Sequence, residues 1–182
     1  MKRFACLLLT LALVCAALAG CKKAEEKETT SAATESVPET TEAAKPVSLY
    51  DLSRAMLAAA EFGEMRYVSN TDDEAAEEFE YLSDLDYELV DSWFLSYAAD
   101  GKGNADEVAV VRVRDAADLD KAVSSLQAHL EKRIALYKTY DPSQSEKVSK
   151  GLVFSEAGYA VLIVSGDNRA IRSAFQDFLA KQ

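Results

Sequence analysis

The sequence predicts an α+β domain over residues 47–182, whose four-stranded, mainly antiparallel sheet is built from a ββα unit used twice. Two observations support this fold class. Segments 107–114 (EVAVVRVR) and 159–165 (YAVLIVS) carry apolar residues on both faces of an extended chain, which is typical of strands covered from two sides. Each segment follows a shorter strand and a turn, and each precedes an aspartate that can cap a helix, Asp115 and Asp167.

The residues before the first unit predict two helices that pack on the sheet. The first begins at Ser48 and ends near Gly63, which is a common residue at helix ends. After a connection through residues 65–68, the second begins at Thr71, and a helical turn from Asp86 leads to the first strand. The buried stripes recur at helical spacing: Leu49, Leu52 and Met56 in the first helix, and Ala75, Phe79 and Leu82 in the second.

The two ββα units follow in order along the chain. The first has a strand at 93–97, a glycine-rich turn at 98–105, the return strand at 107–114 and a long helix after Asp115. A short helical piece at 143–150 leads to the second, which has a strand at 151–155, a tight turn at 156–158, the return strand at 159–165 and a final helix. We expect the two return strands at the centre of the sheet and strand 93–97 at an edge. The two unit helices should cover one face and the N-terminal helices the other.

The first twenty residues predict an export signal. Met1-Lys2-Arg3 is basic, residues 4–18 are apolar, and small residues follow. The apolar run is shorter than the roughly 20 residues that a transmembrane helix needs. Leu18-Ala19-Gly20-Cys21 matches the lipobox of bacterial lipoproteins, although Ala17-Leu18-Ala19 would also suit ordinary secretory cleavage after Ala19.

Cysteine counting favours the lipoprotein interpretation. Cys6 and Cys15 leave with a signal peptide of residues 1–20, so Cys21 is the only cysteine of the mature chain. A single unpaired thiol is unusual in an exported protein. A lipid on the Cys21 sulfur removes this anomaly, and two acyl chains are enough for stable membrane anchoring. We therefore predict lipidation of Cys21.

Residues 21–46 predict a disordered tether between the lipid and the domain. Residues 22–46 are rich in Thr, Ser, Glu and Ala and contain no Leu, Ile, Phe, Tyr or Trp, so they cannot bury enough apolar surface to order themselves. A coil of this length extends about 25–30 Å. The predicted organisation is thus a signal peptide at 1–20, a lipidated cysteine with its tether at 21–46, and a single acidic domain at 47–182.

The charge of the chain excludes one class of partner. The formal net charge is −11, and the acidic excess lies in residues 47–182, because acidic and basic residues balance before them. A domain this acidic is repelled by phosphate backbones and by anionic lipid surfaces. The sequence therefore predicts no nucleic-acid partner, and membrane contact through the lipid rather than through a basic face.

Three blocks of the domain resemble a known family. They are residues 106–115 (DEVAVVRVRD), 131–142 (EKRIALYKTYDP) and 158–167 (GYAVLIVSGD). Together with the signal and tether they are similar to small lipoproteins of Gram-positive-type bacteria that carry a domain of unknown function. The resemblance implies no reaction, ligand or functional residue.

Histidine and cysteine chemistry finds little support in the sequence. His129 is the only histidine, and it lies beside the apolar stripe of the long helix without a nearby nucleophile or orienting acid. We interpret it as a partly exposed helix residue. A zinc site lacks ligands, since one histidine and no free mature cysteine cannot form a conventional set. We predict no catalytic residue, no metal site and no cofactor.

The many carboxylates leave two alternatives open. Asp73, Glu77, Glu80 and Asp84 recur at helical spacing and could hold a hard cation such as calcium, although such a stripe is more often the solvated side of a helix. A catalytic pair of carboxylates could form in a cleft, but the sequence singles out no pair. The turn 100–107 is not an EF-hand, because Lys102 and Val111 occupy ligand positions, and it lacks phosphate-loop spacing.

Aromatic residues on the expected edge strand suggest a binding surface. Trp93 and Tyr97 could contact a sugar, a peptide or a partner protein if their rings are exposed. The alternative is ordinary core filling, because alternation along a strand turns some of these side chains inward.

The sequence favours a non-enzymatic, lipid-anchored protein at the outer leaflet of the cell membrane. Its domain would bind a protein partner or small ligand of the cell envelope. The alternatives are a carboxylate-dependent envelope hydrolase and a structural subunit of an envelope assembly.

Overall fold

A computed structural model describes residues 46–99 and 104–182 of the chain. The predicted signal peptide, Cys21 and the tether up to residue 45 lie outside the described residues, as do residues 100–103 of the first turn. Ten helices and strands follow in chain order: α1 Leu49–Leu57, β1 Met65–Ser69, α2 Ala75–Leu82, β2 Val90–Ala98, β3 Glu107–Val113, α3 Leu119–Tyr140, α4 Pro142–Ser149, β4 Leu152–Glu156, β5 Tyr159–Val164 and α5 Asn168–Leu179. Short 3₁₀ turns at Tyr87–Leu89 and Ala116–Asp118 precede β2 and α3.

The strands form one antiparallel sheet in the order β1-β2-β3-β5-β4. The α+β class, the antiparallel pairing and the central positions of the two return strands, β3 and β5, are confirmed. The expected number of four strands is wrong. Residues 65–68, which we expected to be a connection, belong to β1, which pairs with β2, for example Val68 with Leu95. Strand β2 is therefore an interior strand and not an edge.

Each face of the sheet is covered by its own set of helices. The upper face, as we call it, carries α2, α3 and α4, which bury side chains such as Phe79, Leu126 and Val148 against the sheet. The lower face carries α1 and α5, represented by Met56 and Phe175. The expectation that both unit helices cover the same face is wrong, since α3 lies above and α5 below. Strands β3 and β5 are apolar on both faces, so each face needs a long helix to exclude water.

Capping residues define the helix starts largely as the sequence predicts. Ser48 accepts a hydrogen bond from the backbone N–H of Asp51 at 3.2 Å, and Asp167 accepts one from Ala170 at 3.0 Å. Asp115 accepts one from Ala117 at 2.9 Å and begins the 3₁₀ turn that leads into α3. Helix α2, however, begins at Ala75 rather than near Thr71.

The turn between β4 and β5 has the backbone that its glycine predicts. Gly158 has φ of 79° and Ala157 has φ of 51°, so both central residues adopt the left-handed conformation of a two-residue hairpin turn. Among the described helices, none is both long and apolar enough to cross a membrane.

Candidate functional site

A cleft of about 390 Å³ lies on the upper face between α2 and α3, within the size range typical of small-molecule sites. We call it the α2–α3 cleft. Strands β1, β2 and β3 form its floor, and the two helices form its walls. Its lining residues are Arg66, Glu78, Tyr81, Leu95, Tyr97, Glu107, His129 and Arg133.

The floor of the cleft contains a row of three polar residues from neighbouring strands. Arg66 of β1 pairs with Tyr97 of β2, and Tyr97 in turn pairs with Glu107 of β3. Residues opposite one another in an antiparallel sheet project from the same face. The sheet register thus brings a guanidinium, a phenol and a carboxylate together without any contribution from a loop.

Glu107 is the centre of the site. Its side chain is only 2% exposed, and its two carboxylate oxygens have different partners from α3. Oε1 lies 2.7 Å from His129 Nε2, and Oε2 lies 2.8 Å from Arg133 Nη1. Because His129 and Arg133 are four residues apart, they lie on one side of the helix and reach the carboxylate together. The buried charge is thereby paired and hydrogen-bonded, as burial requires.

The same network holds the residues that precede β3. Arg133 Nη2 donates to the carbonyl of Ala105 at 2.9 Å, and its guanidinium lies 5.2 Å from the ring centre of Tyr137. Lys147 of α4 donates to Asn104 at 2.9 Å and to the buried carboxylate of Asp106 at 2.8 Å. Helices α3 and α4 therefore fix residues 104–107 and, with them, the position of Glu107.

The α2 side of the cleft is more exposed. Glu78 pairs with Arg66 at 3.2 Å, and the Arg66 guanidinium lies 6.0 Å from the ring centre of Tyr97. Tyr81, one turn further along α2, is 78% exposed. This wall thus offers an aromatic ring that a ligand can reach without displacing a buried side chain.

A hydrogen-bonded cluster joins the walls at one end of α2. The Ser83 and Ser125 hydroxyls lie 2.8 Å apart, and the Ser125 hydroxyl accepts from the backbone N–H of Asp84 at 3.0 Å. Ser125 also donates to the Asp84 carboxylate. This hydrogen bond is the main cause that lowers the pKa of Asp84 below its usual value. The cluster connects the segment after α2 to α3.

This lowered pKa predicts a pH-dependent stability difference. Asp84 contributes stability above its unfolded pKa of about 3.9, and the contribution is lost as the pH falls through the lowered folded value. Ser125→Ala removes the hydrogen bond, so we expect the variant to be less stable than the wild type at neutral pH and the difference to shrink below about pH 4. Urea unfolding at a series of pH values measures it.

Ser124→Ala is the matched control for this measurement. The Ser124 hydroxyl donates to the backbone carbonyl of Asp120 at 2.8 Å, and no carboxylate is involved. Its effect on stability should not vary with pH in this range. A Ser125→Ala difference that stays constant from neutral to acid pH would contradict the role assigned to Asp84.

Other depressions in the described part of the structure lack this arrangement of charged and aromatic side chains. One of about 650 Å³ is more open and is lined by Asp84 and Ser125 of the hydrogen-bonded cluster together with residues such as Asp120 and Lys121. Another, of about 430 Å³, lies beside the start of α1. Neither combines aromatic side chains with a buried carboxylate bound by two basic side chains, as the α2–α3 cleft does.

The structure separates the two aromatic residues that the sequence suggested for binding. Trp93 is fully buried, because β2 is covered by β1 at its side and by α2 above it. Its ring packs 5.2 Å from that of Phe79, so Trp93 fills the core and cannot contact a partner. Tyr97 is half-buried and lines the α2–α3 cleft. The prediction that Tyr97 lies on an edge strand was wrong, because β2 is an interior strand.

The role expected for His129 also changes, because its orienting acid is distant in sequence. His129 is mostly buried and bonded to Glu107, 22 residues upstream. Sequence reasoning missed Glu107 and Arg133 altogether. The alternation of side chains along β3 could have indicated Glu107, because it falls on the same face of the strand as Ala109 and Val111, which point into the upper core.

The acidic stripe does not converge in the structure. Asp73 and Asp84 lie outside α2, and Asp84 is bonded to Ser125. Within residues 46–99 and 104–182, no three His, Cys, Asp or Glu side chains are grouped so that they could hold a metal ion. Lys102, which argued against a calcium loop, lies outside the described residues.

Comparisons with known proteins show a family but no relative of known activity. A family model described as a domain of unknown function, DUF4358, matches residues 65–165. This range runs from the first residue of β1 to the residue after β5 and includes every residue that lines the α2–α3 cleft. No curated protein and no solved structure matches the chain.

Proposed function

We propose that this chain, which belongs to the DUF4358 family, is a lipid-anchored extracytoplasmic protein that binds a small ligand in the α2–α3 cleft. The description of that family assigns no activity. The anchor rests on the Leu18-Ala19-Gly20-Cys21 motif and on Cys21 being the only mature cysteine. The ligand site rests on the cleft and its paired charges. Extracytoplasmic location rests on the predicted export signal at residues 1–20.

The observation that carries the binding function is the preorganised carboxylate at the floor. Glu107 is buried with both oxygens occupied, and it holds His129 and Arg133 in defined positions at the cleft. Binding sites typically combine such fixed polar groups with an aromatic or apolar lining. Leu95, Tyr97 and Tyr81 provide that lining.

The same geometry favours binding over hydrolysis by a pair of carboxylates. Such a mechanism needs one protonated and one ionised carboxyl group, so the surroundings of the two acids must differ. The two carboxylates of the cleft are instead each paired with a cation, Glu78 with Arg66 and Glu107 with Arg133. Both carboxylates are therefore held in ion pairs with neighbouring arginines.

A second candidate function, docking of an envelope protein, is favoured by a separate surface. Leu136 and Tyr140 lie four residues apart on α3 and are 51% and 80% exposed. Residues at this spacing lie on one side of a helix. Neither residue is among those that line the α2–α3 cleft.

Two experiments test the two parts of the proposal. In cells, we expect Cys21→Ala to move the protein from the membrane fraction to the medium or to leave it as unprocessed precursor.

In detergent, we expect the full-length protein to gain thermal stability with at least one ligand class from a panel of neutral oligosaccharides, peptides, carboxylates and phosphates. At ten times Kd the gain is about 1.4 kcal/mol.

Tyr81→Ala should lose much of this gain, whereas Tyr140→Ala, which changes an equally exposed tyrosine outside the cleft, should keep it. Membrane retention and normal processing of Cys21→Ala would reject the anchor. Equal stabilisation of the Tyr81→Ala variant and the wild type by every ligand would reject the cleft as the binding site.

A further inference from the structure

We infer that the α2–α3 cleft takes an uncharged saccharide, an inference that rests on the proposed binding function and specifies its ligand class. The first step concerns charge. The formal charges of the cleft form two mutual pairings, Arg66 with Glu78 and Arg133 with Glu107, and His129 contacts the same Glu107 carboxylate. A charged ligand would have to compete with one of these pairings.

The paired side chains still act as hydrogen-bonding groups. A guanidinium has five N–H donors in a fixed plane, and Arg66 uses one nitrogen, Nη2, for Glu78. The Tyr81 and Tyr97 hydroxyls can each donate and accept. The cleft therefore offers many directional hydrogen bonds and little net charge, which suits a ligand that carries several hydroxyl groups.

The exposed Tyr81 ring supplies the apolar part of the recognition. Tyr81 is largely exposed at one wall, and Tyr97 lies on the floor beneath the Arg66 guanidinium. An aromatic side chain offers an apolar body and a polar tip. A sugar ring matches this arrangement because it has apolar C–H faces and a hydroxylated rim. A purely apolar ligand does not, since Leu95 is the one aliphatic side chain in the lining.

The floor also disfavours an extended peptide. Peptides that add a strand to a sheet need an edge with free backbone groups. Tyr97 and Glu107 are on interior strands, and Tyr97 is paired on both sides, with Arg66 and with Glu107. Recognition at Tyr97 and Glu107 therefore depends on side chains, which favours a polyhydroxylated ligand over a peptide that adds a strand at these positions.

Calorimetric titration of the full-length protein in detergent tests the inference with defined probes. The neutral probes are cellotetraose, tetra-N-acetylchitotetraose and maltotetraose, and the anionic probe is a galacturonic acid oligomer. We expect at least one neutral tetrasaccharide to bind and the anionic oligomer to bind more weakly. Tyr81→Ala should weaken the neutral complex roughly three- to tenfold, as expected for one lost aromatic contact.

Two matched variants separate the ring from its hydroxyl and from general surface effects. Tyr81→Phe keeps the ring and should retain most of the affinity, and Tyr140→Ala should match the wild type. The inference is overturned if none of the neutral tetrasaccharides binds, if the anionic oligomer binds as tightly, or if Tyr81→Ala binds like the wild type. Binding of a peptide or phosphate that depends on Tyr81, without any neutral sugar, would overturn the saccharide class and leave the proposed binding function standing.

Discussion

Replacing Glu107 with alanine is expected to lower the free energy of unfolding by about 3–5 kcal/mol. The Glu107 carboxylate is nearly inaccessible to water and is paired with Arg133, and it contacts His129 as well. Alanine would leave the Arg133 guanidinium mostly buried without its counter-charge, and an uncompensated buried charge is strongly unfavourable. Urea unfolding can be followed by the fluorescence of Trp93, which is the only tryptophan and is fully buried.

Two comparisons make this result specific to the buried network. Glu78→Ala removes a carboxylate from the exposed pair with Arg66 and should cost at most about 1 kcal/mol. A triple variant, Glu107→Leu with His129→Leu and Arg133→Met, removes Glu107 together with both of its partners and should recover much of the lost stability, because well-packed apolar residues can replace buried ion pairs. A Glu107→Ala protein within 1 kcal/mol of the wild type would show that the network does not stabilise the fold.

Trp93→Ala should destabilise the protein by a similar amount, about 3–5 kcal/mol, through loss of core packing. The indole is completely buried on the upper face, packs against Phe79, and donates from Nε1 to the Tyr87 hydroxyl at 3.4 Å. Alanine leaves a cavity at this point and removes the hydrogen bond to Tyr87. The measurement is thermal and urea unfolding followed by circular dichroism, since the variant lacks its fluorescent reporter.

The control is Tyr81→Ala on the neighbouring helix, where the ring is exposed and truncation should change stability by less than about 0.5 kcal/mol. Trp93→Phe, which keeps an aromatic ring, should fall between the wild type and Trp93→Ala. If Trp93→Ala kept its stability and instead lost a binding partner, Trp93 would have to be exposed in solution, contrary to the structure.

The parts of the fold that could be predicted from sequence are those defined by local patterns. The apolar runs of β3 and β5 identify central strands, and Ser48, Asp115 and Asp167 mark capped starts because a cap lies within three residues of its partner. Strand β1 was missed because it has only five residues and depends on pairing with β2, about thirty positions away, rather than on its own apolar pattern.

The candidate site could be predicted only in part, because its contacts are long-range. Glu107 and His129 are 22 residues apart, and Ser83 and Ser125 are 42 apart. Alternation along β3 and the four-residue spacing of His129 and Arg133 place each residue on the correct side of its own strand or helix. The sequence does not show which face of the sheet α3 covers, so it does not show which strands lie beneath this helix. The repeat pattern suggested that α3 and α5 cover the same face, which is wrong.

The division of the helices between the two faces has a practical consequence for immobilising the protein. Val47, at the start of the described domain, and α5, at its C-terminal end, both pack on the lower face, whereas the α2–α3 cleft opens on the upper face. A linker that begins at Val47 or directly after α5 therefore starts on the side of the sheet away from the cleft. Coupling the protein to a sensor chip or a bead through either end should leave the cleft open to ligand, so that surface-based binding assays are practicable without re-engineering the domain.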